Sequence, residues 1–215
     1  MLRYAIIWGM KVREAVILMN DNENIIAMAK ENNGFITSSK VTDAGIQRRI
    51  FSELVKSGRL YRVERGIYVL PETWEDEMFF IQHRFAKGIF SCETALYLHG
   101  LSDRTPISYT MTFPHGYNTH SVKEAGIIAK LVMPEIYKLG IVEMLSSCGN
   151  PIKTYDRERT LCDIVKGNNT CDISLVNQAM KAYAISREKN VNRLIAYAEQ
   201  LRVKPKILRY MEVLL

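Results

Sequence analysis

The chain has 215 residues, 47% of them hydrophobic, which is enough for one large domain or two small ones and too apolar for a disordered polypeptide. With 29 basic against 23 acidic residues and a formal charge of +6 it favours an anionic partner, but the excess is a tilt and not a tail, so its distribution along the chain matters more than its total. The four cysteines, Cys92, Cys148, Cys162 and Cys171, share no close spacing, which excludes a zinc knuckle or a CxxC redox site and predicts reduced thiols in a cytoplasmic protein.

Near the start, the apolar runs at residues 4–8 and 15–19 are interrupted by Lys11, Arg13 and Glu14 and are too short to span a bilayer. No small-residue cleavage site follows them, so no export signal is expected. Met10 is an alternative start that would make the first nine residues dispensable. Asn20, Asp21 and Asn22 supply a helix N-cap, and Ile25, Ile26, Met28 and Ala29 then form an apolar helical face that stops near Gly34. Phe35 and Ile36 read as a short extended link. Thr37 or Ser38 caps a two-turn helix carrying Lys40, Val41 and Ala44, and Gly45 ends it where a tight turn needs positive φ.

In the third helix, Ile46, Ile50 and Leu54 recur at four-residue spacing with Phe51 and Val55 beside them, so this stripe faces the core. The opposite stripe is Arg48, Ser52 and Lys56, with Gln47 and Arg49 at its N-terminal end. Gly58 stops the helix. Residues 60–63 and 67–70 then alternate as two strands around a turn at Glu64, Arg65 and Gly66. Arg59, Arg62 and Arg65 line this hairpin. Between residues 37 and 65 seven basic side chains face three acidic ones, a net of +4. Helix, turn, basic helix and basic hairpin predict a winged helix-turn-helix that lays cations on double-stranded DNA. The N-terminal residues of such a recognition helix reach base edges in the major groove, where arginine pairs with guanine and glutamine with adenine through two hydrogen bonds each.

After Pro71, an acidic stretch at residues 72–77 marks a boundary near Trp74, giving domains 1–74 and 75–215. Helices are expected at residues 78–86 and 91–99, strands at 108–113, 127–133, 141–145 and 152–155, and helices again at 157–166, 174–184, 191–201 and 205–214. The fold class is therefore α+β: an N-terminal winged helix-turn-helix followed by a larger mixed α+β domain with a helical C-terminal part.

Little in this second part carries chemistry. His83, His99, His115 and His120 lack HExxH spacing or clustered cysteines, and no GxSxG or GxxxxGK[ST] motif occurs. No cofactor, metal or catalytic residue is expected. Glu93, Asp103, Glu124, Glu135, Asp156, Glu158 and Asp163 leave open a metal-dependent nuclease, which needs two or three clustered acids. At residues 154–165, Asp156 or Thr160 is expected to cap a helix while Arg157 and Arg159 pair with nearby acids. Residues 181–209 hold eight basic and two acidic side chains, and Lys181, Arg187, Lys189 and Arg193 define a possible second basic surface or a solvated face.

TSSKVTDAGI (37–46), the basic third helix and SGRLYRVERGIYVLP (57–71) are similar in order to the winged helix of AbiEi antitoxins. SCETALYLHGLS (91–102) and YDRERTLCDIV (155–165) resemble recurring segments of that family's C-terminal domain. The resemblance spans about residues 24–170, leaving the first 20 outside it. It implies a non-enzymatic antitoxin of a bacterial type IV toxin-antitoxin, or abortive-infection, system acting in phage resistance. Such an antitoxin counteracts a nucleotidyltransferase toxin without stable contact and represses its own operon by binding promoter inverted repeats. Because a single winged helix contacts only a few base pairs, a chain that is a monomer in solution is expected to place two copies on the two half-sites of the operator, and the short apolar runs predict no membrane partner. The DNA-facing positions that the resemblance implies are Lys40, Gln47, Arg48, Arg49, Ser52, Lys56, Arg59, Arg62 and Arg65. A ligand-responsive winged-helix regulator outside any toxin system remains a second reading.

Overall fold

The computed structural model describes residues 12–166 and 171–214, with side chains from residue 21 onward. The alternative start at Met10 and the apolar run at residues 4–8 lie outside the described residues. The chain folds as two compact units. The first holds the described residues up to Phe80 together with Ser147–Asn150, and the second holds Ile81–Ser146 and the described residues from Pro151 on. Each unit carries helices and a sheet, as the α+β expectation requires.

In the first unit, helix α1 (Val12–Glu31) is followed by strand β1 (Phe35–Thr37), helices α2 (Ser38–Asp43) and α3 (Ile50–Lys56), and strands β2 (Tyr61–Glu64) and β3 (Ile67–Val69). This order is that of a winged helix-turn-helix. The strands form one antiparallel sheet in the order β1-β3-β2, with Phe35 and Tyr61 both opposite Val69. Residues 35–36 are thus part of a strand, where the sequence suggested only a link. α1 also runs without a break through Asn20, Asp21 and Asn22, where the sequence placed an N-cap. Three such residues cost a helix at most about 0.7 kcal/mol each relative to alanine. Burial of Ile25, Ile26 and Ala29 against Ile36, Val41, Ile50, Phe51, Leu54 and Leu60 outweighs that cost.

The second unit holds α4 (Glu77–Arg84, continuing from the first unit), β4 (Ile89–Phe90), α5 (Cys92–Leu98), β5 (Thr110–Pro114), α6 (His120–Glu124), β6 (Ile128–Val132), α7 (Pro134–Tyr137), β7 (Ile141–Leu145), β8 (Pro151–Tyr155), α8 (Arg157–Val165), α9 (Ile173–Ile185), α10 (Val191–Gln200) and α11 (Lys204–Leu214). Its mixed five-stranded sheet has the order β6-β5-β4-β8-β7. The central strand β4 is only two residues long, too short to show alternation, and the sequence did not reveal it. α6 and α7 were likewise hidden among glycine and proline turn signals. α5 and the four C-terminal helices bury one cluster that includes Leu96, Leu161, Met180, Tyr183, Leu194 and Ile207.

A cation organises this unit from inside. Arg159 is fully buried on α8. Its Nε donates to both Asp163 carboxylate oxygens at 3.0 and 3.1 Å, and its Nη1 donates to the carbonyls of Ile136 and Leu139 at 2.6 and 2.9 Å. The guanidinium lies 4.3 Å from the Tyr155 ring centroid. Gly140 leaves room for it: a Cβ there would stand 2.9 Å from Arg159 Cβ. Asp156, one of the two caps the sequence offered, caps α8 by accepting from the Arg159 backbone N–H at 2.8 Å. The pairing of Arg157 and Arg159 with acids also holds, through Glu188 and Asp163.

Arg159→Ala is expected to cost about 3 to 5 kcal/mol in urea denaturation, because Asp163 is left buried without its cation. The double substitution Arg159→Met, Asp163→Leu is expected to recover most of that loss, since no uncompensated charge then remains.

Candidate nucleic-acid interface

The geometry of the winged unit is set by two helix ends. α2 starts at Thr37, whose hydroxyl accepts from the Lys40 backbone N–H at 3.3 Å. It ends in a closure in which the Gly45 N–H donates to Thr42 O at 2.9 Å and the Ile46 N–H donates to Val41 O at 3.0 Å. This paired arrangement needs a left-handed residue at the turn, and Gly45 supplies it at φ +76°. α3 ends the same way, with the Gly58 N–H bonded to Val55 O, the Arg59 N–H bonded to Leu54 O, and Gly58 at φ +70°.

The first closure corrects the expected start of the third helix. Ile46 is consumed by the cap of α2 and is half-buried against the core, so it does not open the next helix. Gln47, Arg48 and Arg49 instead form a tight turn whose carbonyls accept from Ile50, Phe51 and Ser52 at 3.2, 3.2 and 3.0 Å. Regular α3 begins at Ile50. Its buried side is Ile50, Phe51 and Leu54, while Ser52 and Lys56, four residues apart, share the exposed side. The Phe51 ring stacks on Tyr68 at a centroid separation of 3.9 Å, which fixes α3 to the middle strand of the sheet.

The wing is held at its tip. The Ser38 N–H donates to Gly66 O at 2.8 Å, so α2 and the β2–β3 turn share a hydrogen bond. Between Arg62 and Glu64 the register shifts by one residue, a bulge that bends the strand and re-aims its side chains. Arg62 and Arg65 are exposed. Arg62 Nε donates to Glu64 O at 3.3 Å.

Each residue expected to face DNA can be placed individually. Lys40, Gln47, Arg48, Arg49, Ser52, Lys56, Arg62 and Arg65 are all exposed, and all lie on α2, the turn before α3, α3 itself or the wing. Lys40 Nζ donates to Asn32 Oδ1 at 3.2 Å. Arg48 Nε donates to Thr42 Oγ1 at 2.7 Å, a partner that no spacing in the sequence identified. Arg59 is half-buried and makes a two-pronged pair with Glu23 at 2.9 and 3.1 Å. The hydrogen bonds and charge of Arg59 hold the Glu23 carboxyl below its ordinary range, which keeps it a carboxylate at neutral pH. Tyr61 on the wing is 53% exposed, an aromatic that charge patterning does not single out.

In the second unit Lys181 and Arg187 are exposed. Lys189 Nζ is turned onto Ala184 O at 2.8 Å, and Arg193 Nη1 stands 3.8 and 3.9 Å from Asp156 and Glu158. Two of the four cations are therefore engaged within the fold. Three of the acids that the sequence left open as a nuclease cluster are engaged as well. Asp163 holds Arg159; Asp156 accepts from the Arg159 backbone N–H and from Tyr197 OH at 3.2 Å. Glu158 accepts from Tyr183 OH at 2.9 Å and from the Asn190 N–H at 3.0 Å. No group of three His, Cys, Asp or Glu side chains able to hold a metal ion occurs among the described residues, and no described helix is long and apolar enough to cross a membrane.

Comparison with solved structures finds a likeness to the RV2827C protein from Mycobacterium tuberculosis at 13% identity and a TM-score of 0.44, over 87% of this chain and 79% of that one. No curated protein matches the chain. Residues 24–71, from α1 through the wing, match the model of a family described as transcriptional regulator, AbiEi antitoxin.

Proposed function

We propose that this protein is the antitoxin of a bacterial type IV abortive-infection system, a cytoplasmic regulator and not an enzyme. Residues 1–74 bind inverted repeats in the promoter of its own operon, and residues 75–215 counteract a nucleotidyltransferase toxin without a stable complex. The observation that carries the reading is a coincidence in place: the segment matched by the antitoxin regulator family, residues 24–71, is the segment that presents the exposed cations of a winged helix.

On this reading the turn at residues 47–49 and the first turn of α3 enter the major groove. Gln47, Arg48, Arg49 and Ser52 read base edges, while Lys40, Lys56, Arg59, Arg62 and Arg65 lie along phosphates. A single winged helix reads only a few base pairs, so two monomers occupy the two half-sites of a repeat and gain affinity from pairing. Glu23 competes with phosphate for Arg59. The C-terminal cations Lys181, Arg187, Lys189 and Arg193 touch flanking DNA.

Gel-shift titration on the DNA upstream of the gene tests the interface. The double substitution Arg48→Ala, Arg49→Ala is expected to cost about 1 to 3 kcal/mol for each base edge no longer read and to relax specificity, whereas Arg62→Ala or Arg65→Ala weakens binding to every sequence. Binding like that of the unaltered protein by the double variant would remove residues 48 and 49 from base recognition. Glu23→Gln frees Arg59 and is expected to tighten binding and steepen the dependence of log K on log salt by about 1. Removing Lys181, Arg187, Lys189 and Arg193 together should flatten that dependence; an unchanged slope would assign them elsewhere. For the antitoxin half, co-expression with the neighbouring reading frame is expected to relieve growth arrest by a nucleotidyltransferase encoded there.

A further inference from the structure

The segment SCETALYLHGLS is not used by the proposed DNA interface, yet it contains Cys92, the one cysteine among the described residues on a left-handed backbone. Cys92 sits at the sharp turn from strand β4 into helix α5 with φ +52°, a left-handed conformation that non-glycine residues adopt rarely. The turn is held by the Ser91 N–H donating to Thr110 O at 3.0 Å and by Thr112 Oγ1 donating to Ser91 Oγ at 2.9 Å. A strand-to-helix turn of this kind is a known device for presenting a reactive side chain in a fixed direction. Here the sulfur lies at a cavity of about 330 Å³ whose lining includes Cys92, Thr112, Lys130, Arg159, Asp163 and Lys166. Lys130, projecting from β6, donates from Nζ to Cys92 Sγ at 3.0 Å.

We propose that Cys92 and Lys130 form an oxidative modification site, in which peroxide links Sγ to Nζ through one bridging oxygen. The pair meets three requirements for such a link. The two atoms are already in contact, Cys92 is buried at 3% exposure so that its sulfur has little room to turn away, and the cavity admits a molecule as small as hydrogen peroxide. Burial pushes the Cys92 thiol up from its ordinary range, so the pair rests as a thiol beside an ammonium group and is stable in reducing surroundings. Arg159 and Asp163 at the same cavity are paired with each other and take no part.

The chemistry balances over two peroxide molecules. In the first step Cys92 loses its proton to water and the thiolate, beside the Lys130 ammonium, attacks one peroxide oxygen; the O–O bond breaks, sulfur loses two electrons, and the departing hydroxide takes up a proton, so that Cys92 becomes a sulfenic acid with release of one water. In the second, Lys130 reacts as the free amine after its ammonium proton passes to water. A second peroxide accepts two electrons from nitrogen as the bond between the sulfenyl oxygen and Nζ forms. The sulfenic proton and one amine proton leave in two further waters. Two equivalents of a dithiol reductant reverse the sequence, restoring thiol and amine and releasing the bridging oxygen as water.

The test uses the full chain treated with hydrogen peroxide, alkylated, digested with trypsin and analysed by mass spectrometry. The expected product joins the peptides containing Cys92 and Lys130, carries one more oxygen and two fewer hydrogens than their sum, escapes cleavage after Lys130, and disappears on treatment with dithiothreitol. Cys92→Ser and Lys130→Arg should each abolish it, the latter keeping charge and hydrogen bonding but not the primary amine. Three results would overturn the proposal: oxidation of Cys92 with Lys130 still cleaved, a disulfide from Cys92 to Cys171, which packs against the same core cluster, or a thiol at Cys92 that remains unmodified. Because the unaltered protein supplies all of these outcomes, the answer does not depend on whether the variants fold.

Discussion

The left-handed turn at Gly45 is the constraint on which the winged unit depends. By drawing Ile46 back onto Val41 it ends α2 and takes that isoleucine out of the next helix. Three residues then bridge to Ile50, and these three are Gln47, Arg48 and Arg49. Their backbone is fixed at both ends, by the cap behind and by the buried Ile50, Phe51 and Leu54 ahead. Gly58 repeats the device at the far end of α3, sending Leu60 into the core and leaving Arg59 beside Glu23. Stacking of Phe51 on Tyr68 and the bond from Ser38 to Gly66 then connect helix, sheet and wing. Exposed cations on a backbone settled in this way lose less conformational freedom on binding than cations on a loose loop.

The second unit shows charge used in the opposite sense. Arg159, Asp156, Glu158 and Asp163 come from one short run, which the sequence offers as a capped helix start with its arginines paired to nearby acids, its acids also being open to a nuclease cluster. All four are buried or nearly so and saturate one another, backbone groups and tyrosine hydroxyls. Burying that many charges is tolerable only when each is paired and hydrogen-bonded. They bind α8 to the α7–β7 connection and to the start of α10. These contacts account for the burial of all four.

What the sequence made legible follows from how local each signal is. The Thr37 cap, the stops at Gly45 and Gly58, the hairpin around Gly66 and the Asp156 cap are each written within four or five residues, and the structure has them. The continuation of α1 through Asn20, Asp21 and Asn22 went unread because local preference pointed the other way and packing decided. β4 went unread because Ile89 and Phe90 are a strand only by virtue of the neighbours that pair with them. The contacts of Arg48 with Thr42, Arg59 with Glu23 and Lys130 with Cys92 join residues whose separations of 6, 36 and 38 positions obey no periodicity. Spacing identified which residues are cationic and exposed; only the fold shows which of them already have a partner.

The central claim is that the turn before α3, α3 itself and the wing form one DNA-binding surface. Amide hydrogen exchange of the full chain, with and without duplex DNA from upstream of its gene, tests it most directly. The account predicts slowed exchange in residues 47–56 and 61–66 on adding DNA, with an unrelated duplex at higher salt giving much less. Protection confined to residues 181–193, or no protection in the first unit at any DNA concentration, would contradict it.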